Sequence, residues 1–325
     1  MRAIVCKELG PANKLVLDAE WKVQELTAND VLINVKAGGL NFPDTLIIEG
    51  KYQIQPELPF VPGGECAGVV EAVGADVKDF KPGDKVVAMG AFGSFSEKLV
   101  TPQQSVLTMP AGLSFEEAAG VGITYFTSYY ALKQRANLKA GDTVLVLGAG
   151  GGVGITAVEI AKSMGAKVIA AASSQEKLDV AKAKGADLFI NYTEEPLKET
   201  VKKLTEGRGV DVVYDPVGGD FSEAALRCMA WNGRFLVIGF ASGPIPKIPL
   251  NLTLLKGCSV VGVFWGAFSA YEPEVHQSNV KELWRLFEEG KLKPVVTDVF
   301  PMEQYEDAFN CLTQRRARGK VIITM

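Results

Sequence analysis

Histidine is nearly absent from this 325-residue sequence, and its few cysteines form no C-x-x-C pair. The only histidine is His276, in the polar stretch YEPEVHQSN, and the cysteines stand at positions 6, 66, 228, 258 and 311. Metal sites need several such ligands close together. We therefore expect no metal site, a surface position for His276, and cysteines that are small buried residues of a reducing compartment.

Long apolar runs and an excess of positive charge are also missing. No run approaches the roughly 18 apolar residues that span a membrane, and the start MRAIVCKELG lacks the apolar core of a secretory signal. The net charge is −4 and the sequence pI is about 5.4, so the overall charge gives no reason to expect a nucleic-acid partner. We expect a cytoplasmic protein without membrane contact.

Two patterns divide the sequence. Up to about residue 113, short β-branched runs such as DVLINVKAGG alternate with glycine and proline turns, which predicts a mostly antiparallel, barrel-like unit. Between residues 142 and 262, six short β-branched runs alternate with helical patterns, which predicts a parallel doubly wound sheet. The segment after residue 262 is too short to fold alone, so we expect it to rejoin the first unit. The expected boundaries are 1–122, 123–262 and 263–325.

The stretch LGAGGGVG, residues 147–154, follows a buried strand pattern and precedes an amphipathic helix pattern. Gly148, Gly151 and Gly154 recur at a spacing of three residues. Glycine at such a turn lets the backbone approach a diphosphate, and the helix that follows offers free N–H groups and the positive end of its dipole. The sequence therefore predicts a dinucleotide site.

The end of the next strand, KVIAAA, indicates which dinucleotide binds. An NAD site commonly has a carboxylate there to bind the adenosine ribose. Here the strand runs into Ser173 and Ser174, with Lys177 three residues further on. Hydroxyl groups and an ammonium suit the 2′-phosphate of NADPH, although a lysine exposed on a helix would give the same pattern. We expect NADPH.

The whole sequence resembles the zinc-free quinone oxidoreductase branch of the medium-chain dehydrogenase/reductases. The segments that carry the resemblance include NFPDTLIIEGKY (41–52), LPFVPGGECAGVVEAVG (58–74), KPGDKV (81–86), EEAAGVGITYFTSYYAL (116–132), GAGGGVG (148–154) and DPVGG (215–219). The resemblance implies an α/β protein: a GroES-like β-barrel catalytic domain built from both chain ends, a Rossmann domain inserted between them, and an active site in the cleft.

Zinc-dependent relatives hold their catalytic metal with two cysteines and a histidine. Aligned by motif, those positions here are Asn41, Gly64 and Ile123, and only the glutamate that follows the histidine is kept, as Glu65. One amide oxygen without thiolate or imidazole does not make a tetrahedral zinc site. Acceptors that take a hydride without a metal include quinones and alkenes conjugated to a carbonyl, and we expect a small hydrophobic or aromatic acceptor.

The resemblance also implies roles for individual residues. Tyr52 matches a tyrosine proposed to deliver the proton in enoyl-thioester reductases, although a core tyrosine at a cleft would look the same. Asn41 would position the nicotinamide ribose or the substrate, Asp44 would be catalytic or a helix-capping carboxylate, and Thr127 would contact the nicotinamide amide. The other expected cofactor contacts are Gly151, Gly152, Val153, Ser173, Ser174, Lys177, Tyr192, Ile238, Gly239, Phe240, Phe264, Trp265 and Lys320.

The leading hypothesis is an NADPH-dependent reductase of quinones or α,β-unsaturated carbonyl compounds. An enoyl-thioester reductase is the closest alternative, and a weakly catalytic NADPH-binding protein, crystallin-like or RNA-binding through the basic run QRRARGK (314–320), is an alternative of another class. The stretch SVVGVFWGAF is compatible with a strand that pairs across a homodimer.

Overall fold

The computed structural model describes residues 1–325, which divide into two units. The first unit comprises residues 1–123 and 294–325, and the second comprises residues 124–293. The strands are β1 Ala3–Cys6, β2 Leu15–Asp18, β3 Asp30–Leu40, β4 Glu65–Val73, β5 Lys85–Met89, β6 Lys98–Pro102, β7 Val106–Thr108, β8 Thr143–Leu147, β9 Lys167–Ala172, β10 Leu188–Asn191, β11 Val210–Asp215, β12 Met229–Val237, β13 Ser259–Gly262, β14 Val296–Pro301 and β15 Lys320–Thr324. The α-helices are α1 Phe42–Ile48, α2 Phe115–Ala118, α3 Gly122–Tyr130, α4 Gly152–Ser163, α5 Gln175–Ala183, α6 Leu197–Leu204, α7 Asp220–Leu226, α8 Asn251–Lys256, α9 Trp265–Tyr271, α10 Pro273–Glu288 and α11 Tyr305–Thr313.

The first unit is built on a seven-stranded sheet in the order β14-β15-β3-β4-β5-β7, with β6 also paired to β3. All its pairings are antiparallel except that of β14 with β15. The strand nearest the C-terminus, β15, lies beside β3, so the chain returns to the first unit as predicted. Its core gathers apolar side chains from both chain segments, including Ile4, Phe95 and Phe309.

The second unit contains a six-stranded, wholly parallel sheet in the order β10-β9-β8-β11-β12-β13, which confirms the doubly wound prediction. Strands β8 and β11 are buried along their whole length because helices cover both faces of such a sheet. The strand order reverses between β8 and β11, and ligands of open α/β sheets bind at the carboxyl end of this point. The glycine stretch follows β8 there.

The second unit ends later than the boundary expected at residue 262. Residues 263–293 belong to it because aromatic side chains of α9 and α10 pack on α3. The Phe126 ring lies 5.7 Å from that of Trp265 and is stacked 5.4 Å from that of Trp284. Only residues 294–325 return to the first unit. No helix in the chain combines the length and the apolar character needed to cross a membrane.

Candidate active site

Three neighbouring strands of the first unit bring Asn41, Glu65 and Lys320 together. Strand β3 leads into Asn41, and the register pairs Leu40 with Val321 on one side and Gly38 with Cys66 on the other. Lys320 begins β15 and Glu65 begins β4, so both lie beside the end of β3. The three side chains are almost completely buried.

Direct hydrogen bonds join these three groups. The Lys320 ammonium donates to Glu65 Oε1 at 2.7 Å, to Asn41 Oδ1 at 2.8 Å and to the Leu40 carbonyl at 3.2 Å. Asn41 Nδ2 donates to Glu65 Oε1 at 2.8 Å, and the Ile123 backbone N–H donates to Glu65 Oε2 at 2.9 Å. Two of the positions that carry zinc ligands in metal-dependent relatives, Asn41 and Ile123, therefore bind the Glu65 carboxylate.

Asp44 lies next to this cluster, in the first turn of α1. The helix begins at Phe42, and Asn41 is its N-cap. The Asp44 carboxylate accepts the Asn41 backbone N–H at 2.8 Å. Burial raises the pKa of Asp44 to about 7, against the lowering effect of this hydrogen bond and of the Lys320 charge. Asp44 can therefore exchange a proton near neutral pH.

Tyr52 belongs to the same unit and is half-buried against its apolar core. Burial, and then the negative charge of Asp44, raise the pKa of the Tyr52 phenol above its ordinary value. The structure thus places the tyrosine within the electrostatic influence of Asp44 and keeps its proton bound at neutral pH. Tyr52, Asp44 and Asn41 all belong to the first unit, and the charge of Asp44 acts on the Tyr52 phenol.

In the second unit, the glycine stretch forms the tight turn between β8 and α4. Gly148 adopts a positive φ of 59°, and a Cβ added at Gly154 would lie 2.2 Å from the Gly148 carbonyl oxygen. A Cβ at Gly150 would lie 2.5 Å from Cβ of Lys177. Only glycine fits at positions 150 and 154, and the turn leads directly into the first N–H groups of α4, which have no partner within the helix.

The expected 2′-phosphate residues follow β9, next to this turn. Ser174 is the N-cap of α5, and Lys177 lies in the first turn of that helix, against the glycine stretch. The Tyr192 backbone N–H donates to the Ala172 carbonyl at 3.1 Å, which places Tyr192 beside the end of β9. The structure therefore brings Ser173, Ser174, Lys177 and Tyr192 to one edge of the sheet.

Behind the glycine turn lies a network of buried hydroxyl groups. The Ser128 hydroxyl lies 2.7 Å from that of Tyr214 and 2.8 Å from that of Thr156. Thr156 Oγ1 donates to the Val153 carbonyl at 2.9 Å, so α3, α4 and β11 are joined just behind the start of α4. Thr127 is half-buried on α3, next to Ser128. This network was not predicted from the sequence, because its members come from three separate elements.

The ends of β11 and β12 form the adjacent part of the sheet edge. Asp215 is buried, and its carboxylate accepts the backbone N–H groups of Val217 and Gly218 and the Ser222 hydroxyl at 2.8, 2.9 and 2.6 Å. A Cβ at Gly218 would lie 2.9 Å from the Phe240 ring. Asp215 therefore fixes the DPVGG turn against the predicted contacts Ile238, Gly239 and Phe240.

The prediction that His276 is a surface residue is wrong. His276 is 9% exposed and lies among the rings of Phe126, Trp265 and Phe268, with centroids 5.3, 5.6 and 6.1 Å away. Burial lowers the pKa of its imidazole. The stretch YEPEVHQSN is polar, but helix α10 buries two of its positions, His276 and Asn279, and His276 meets the rings of α3 and α9. Phe264, by contrast, is 56% exposed.

The cysteines and acidic groups form no apparent metal centre. No group of three or more histidine, cysteine, aspartate or glutamate side chains lies close enough together to hold a metal ion. All five cysteines are free thiols, and four are buried, whereas Cys258 is half-buried.

The comparisons with known proteins agree with this architecture. Residues 27–111 match the family model of the alcohol dehydrogenase GroES-like domain, and residues 152–289 match that of the zinc-binding dehydrogenases. A quinone oxidoreductase-like protein 2 homolog from Nematostella vectensis is 43% identical over 325 residues, which cover 99% of this chain and 88% of that protein. The chain belongs to the quinone oxidoreductase branch of the medium-chain dehydrogenase/reductase superfamily.

Other members of the branch extend the comparison. A quinone oxidoreductase-like protein 2 from Bos taurus is 38% identical, with 100% of this chain and 92% of that protein covered. The structure of Escherichia coli quinone oxidoreductase complexed with NADPH matches with a TM-score of 0.93 at 32% identity, covering 100% of both chains. The family gives this chain an oxidoreductase activity, a nicotinamide cofactor and a small acceptor substrate. It also confirms the GroES-like and Rossmann architecture.

Proposed function

We propose that this chain is an NADPH-dependent reductase of quinones or α,β-unsaturated carbonyl compounds. The observation that carries the choice of NADPH is the end of β9. It has the Ser173 and Ser174 hydroxyl groups in place of a carboxylate, and the Lys177 side chain starts against the glycine turn. An ammonium beside a diphosphate-binding turn suits a further phosphate on the adenosine ribose.

The residues of the second unit fit such a cofactor. Glycine at positions 150 and 154 lets the turn pack closely on Lys177 and on the Gly148 carbonyl, and the N–H groups of Gly152 and Val153 begin α4, where a diphosphate would bind. When bound, the nicotinamide supplies a hydride. The buried hydroxyl network and Asp215 hold the surrounding turns in place, so the diphosphate would meet a preformed site.

The first unit supplies the groups expected to act on the acceptor. The Tyr52 phenol is protonated at neutral pH, and a phenol is a suitable acid for the enolate that an alkene conjugated to a carbonyl forms on reduction. A reduced quinone needs no such donor, since water can protonate it. Replacing Tyr52 should therefore slow the reduction of an alkene conjugated to a carbonyl more than that of a quinone.

The test is NADPH consumption by the purified protein and by Tyr52→Phe with three acceptors: a large aromatic quinone, an enone and an enoyl-CoA. If Tyr52 is the acid, the variant loses at least about ten-fold in kcat with the enone and little with the quinone. Equal rates of variant and wild type with every acceptor would make Tyr52 a packing residue. Selective turnover of the enoyl-CoA would identify a thioester reductase, and no turnover of any acceptor would contradict the proposal.

We also propose a homodimer formed through β13. This strand is the edge of the six-stranded sheet, and it is exposed along most of its length. Large apolar side chains are exposed nearby: Trp231 at 73%, Leu250 at 78% and Leu254 at 79%. An open edge strand next to an apolar patch is suited to pairing with a second copy. Sedimentation equilibrium should give a dimer mass, and Val260→Lys should shift it toward the monomer.

A further inference from the structure

The Lys320 ammonium is enclosed by oxygen atoms of the first unit. It donates to Glu65 Oε1 at 2.7 Å, to Asn41 Oδ1 at 2.8 Å and to the Leu40 carbonyl at 3.2 Å. These three bonds use all three N–H groups of the ammonium. Because Lys320 is 3% exposed and Glu65 is 1% exposed, water has almost no access to these contacts.

The positions at which zinc-dependent relatives carry their metal ligands lie around this same group of oxygen atoms. Asn41 binds the ammonium directly, and the Ile123 backbone N–H donates to Glu65 Oε2 at 2.9 Å. A Cβ added at Gly64 would lie 3.0 Å from Cδ1 of Ile123, so an apolar side chain stands beside the third position. None of the three positions supplies a thiolate or an imidazole, so the residues present do not fit zinc.

The spacing and the charge of the oxygen atoms indicate which cation they suit. Zinc and magnesium bind oxygen at about 2.0–2.2 Å. The oxygen atoms here lie 2.7, 2.8 and 3.2 Å from the nitrogen, as in hydrogen bonds of an ammonium. Only one of them belongs to a carboxylate, so the group balances a single positive charge. The arrangement therefore suits a monovalent cation of ammonium size.

Close packing holds these oxygen atoms in place. A Cβ added at Gly39 would lie 2.8 Å from Glu65 Oε1, and one added at Gly122 would lie 2.8 Å from Glu65 Oε2. The Leu40 carbonyl belongs to β3, which is paired with β15 on one side and with β4 on the other. The spacing of the oxygen atoms is therefore set by the fold and not by the lysine alone.

We infer that these oxygen atoms, at the end of β3 and the start of β4, form a monovalent-cation site that the chain fills with its own Lys320 ammonium. A tethered ammonium thus stands among the positions that hold a metal in zinc-dependent relatives. The inference is independent of the proposed function, because it concerns only contacts within the first unit. A variant without the lysine side chain should take up a free ammonium or alkylammonium ion at this site.

The test is the melting temperature of Lys320→Ala in chloride salts of ammonium, n-propylammonium and tetramethylammonium at equal ionic strength. Propylammonium replaces the part of the side chain that the variant lacks, whereas tetramethylammonium carries the same charge without an N–H group. Ammonium and propylammonium should raise the melting temperature saturably, by about 5 °C at a hundred times their Kd, because they bind only the folded state. Tetramethylammonium and zinc chloride should give no such rise.

Three controls isolate the site. The wild type, whose site is filled, should show no saturable rise with any of these salts. Lys78→Ala removes an exposed lysine of the same unit and should behave as the wild type does. Lys320→Ala/Glu65→Gln has no unpaired buried charge, so it should be more stable than the single variant without added ion and should gain nothing from ammonium or propylammonium.

The experiment decides the matter even if Lys320→Ala is too unstable to fold alone. Refolding with ammonium or propylammonium, but not with tetramethylammonium, would support the inference in the same way as a rise in melting temperature. Failure to fold in every salt would overturn it, as would equal melting temperatures of the single variant in all salts. A saturable rise of the double variant with ammonium would also overturn it, because the ion would then bind elsewhere.

Discussion

The two units of the chain build their polar sites in opposite ways. In the first unit, charged and polar side chains at the ends of β3, β4 and β15 bond to one another: Lys320 to Glu65, and both to Asn41. In the second unit, side chains are missing where the site is tightest, and the glycine turn offers backbone N–H groups to a ligand. The first arrangement fixes the direction of a side chain, whereas the second fixes a tight backbone turn at the start of α4.

This difference predicts which changes impair each site. A site made of a tightly packed backbone turn is lost when an added side chain forces the turn to move. A site made of buried, mutually bonded side chains responds to changes of charge and therefore to pH.

Gly154→Ala should weaken cofactor binding strongly. The added Cβ would lie 2.2 Å from the Gly148 carbonyl oxygen, so the turn and the start of α4 must move. A displacement of about 1 Å at such a site costs on the order of a hundred-fold, which isothermal titration with NADPH would measure. Gly90→Ala is the control, because its Cβ would meet nothing closer than 3.7 Å. Undiminished NADPH binding by Gly154→Ala would contradict a backbone site.

Asp44→Asn should change how stability depends on pH. The Asp44 carboxyl has a pKa of about 7 in the folded protein and ionises near pH 4 when unfolded. Between these values the folded state binds one more proton, so the wild type loses stability as the pH rises from about 4 to 7. The loss that the variant escapes is at most about 4 kcal/mol.

The measurement is the urea midpoint of wild type and variant at intervals from pH 5 to pH 8. The two curves should diverge, with the wild type falling relative to Asp44→Asn as the pH rises. Asp79→Asn removes an exposed carboxylate of the same unit and controls for the change in net charge. Parallel curves for Asp44→Asn and the wild type would show that Asp44 is not held in a dry, buried position.

Lys177→Ala should raise the KM for NADPH about ten-fold and leave the KM for NADH nearly unchanged. An ammonium bound to a phosphate contributes a charge-assisted hydrogen bond, and NADH lacks that phosphate. Lys182→Ala, on the exposed face of the same helix, is the matched control. An equal rise for both cofactors would reject the 2′-phosphate assignment.

The sequence predicts those parts of the molecule that local patterns encode. Six β-branched runs separated by helices indicated the parallel sheet, and LGAGGGVG between a strand and a helix indicated the turn that the structure shows. Each strand–helix unit of these patterns is short, so its strand and helix periods are read directly from the sequence.

Features that depend on distant packing were not predicted. Lys320 reaches Asn41 through the pairing of strands far apart in the chain, and nothing in the stretch GKVIITM indicates its partner. The boundary at residue 262 missed the packing of α9 and α10 on α3 for the same reason. A carboxylate at the start of the apolar run ECAGVV was the one available sign that Glu65 has a buried partner.

Replacing His276 should have a smaller effect. This residue of the second unit is a buried titratable group surrounded by aromatic rings. Burial lowers the pKa of its imidazole, so below about pH 6.5 the unfolded chain takes up a proton that the folded chain resists. Stability is therefore lost as the pH falls, by up to about 1 kcal/mol per pH unit.

His276→Phe keeps the ring packing against Phe126 and Phe268 and removes the titration. Thermal unfolding at pH 7.5 and pH 5.5 should show the wild type losing more stability than the variant, opposite in direction to the effect of Asp44. Equal losses would mean that the imidazole is solvated when charged, and that the second unit does not exclude water from this cluster.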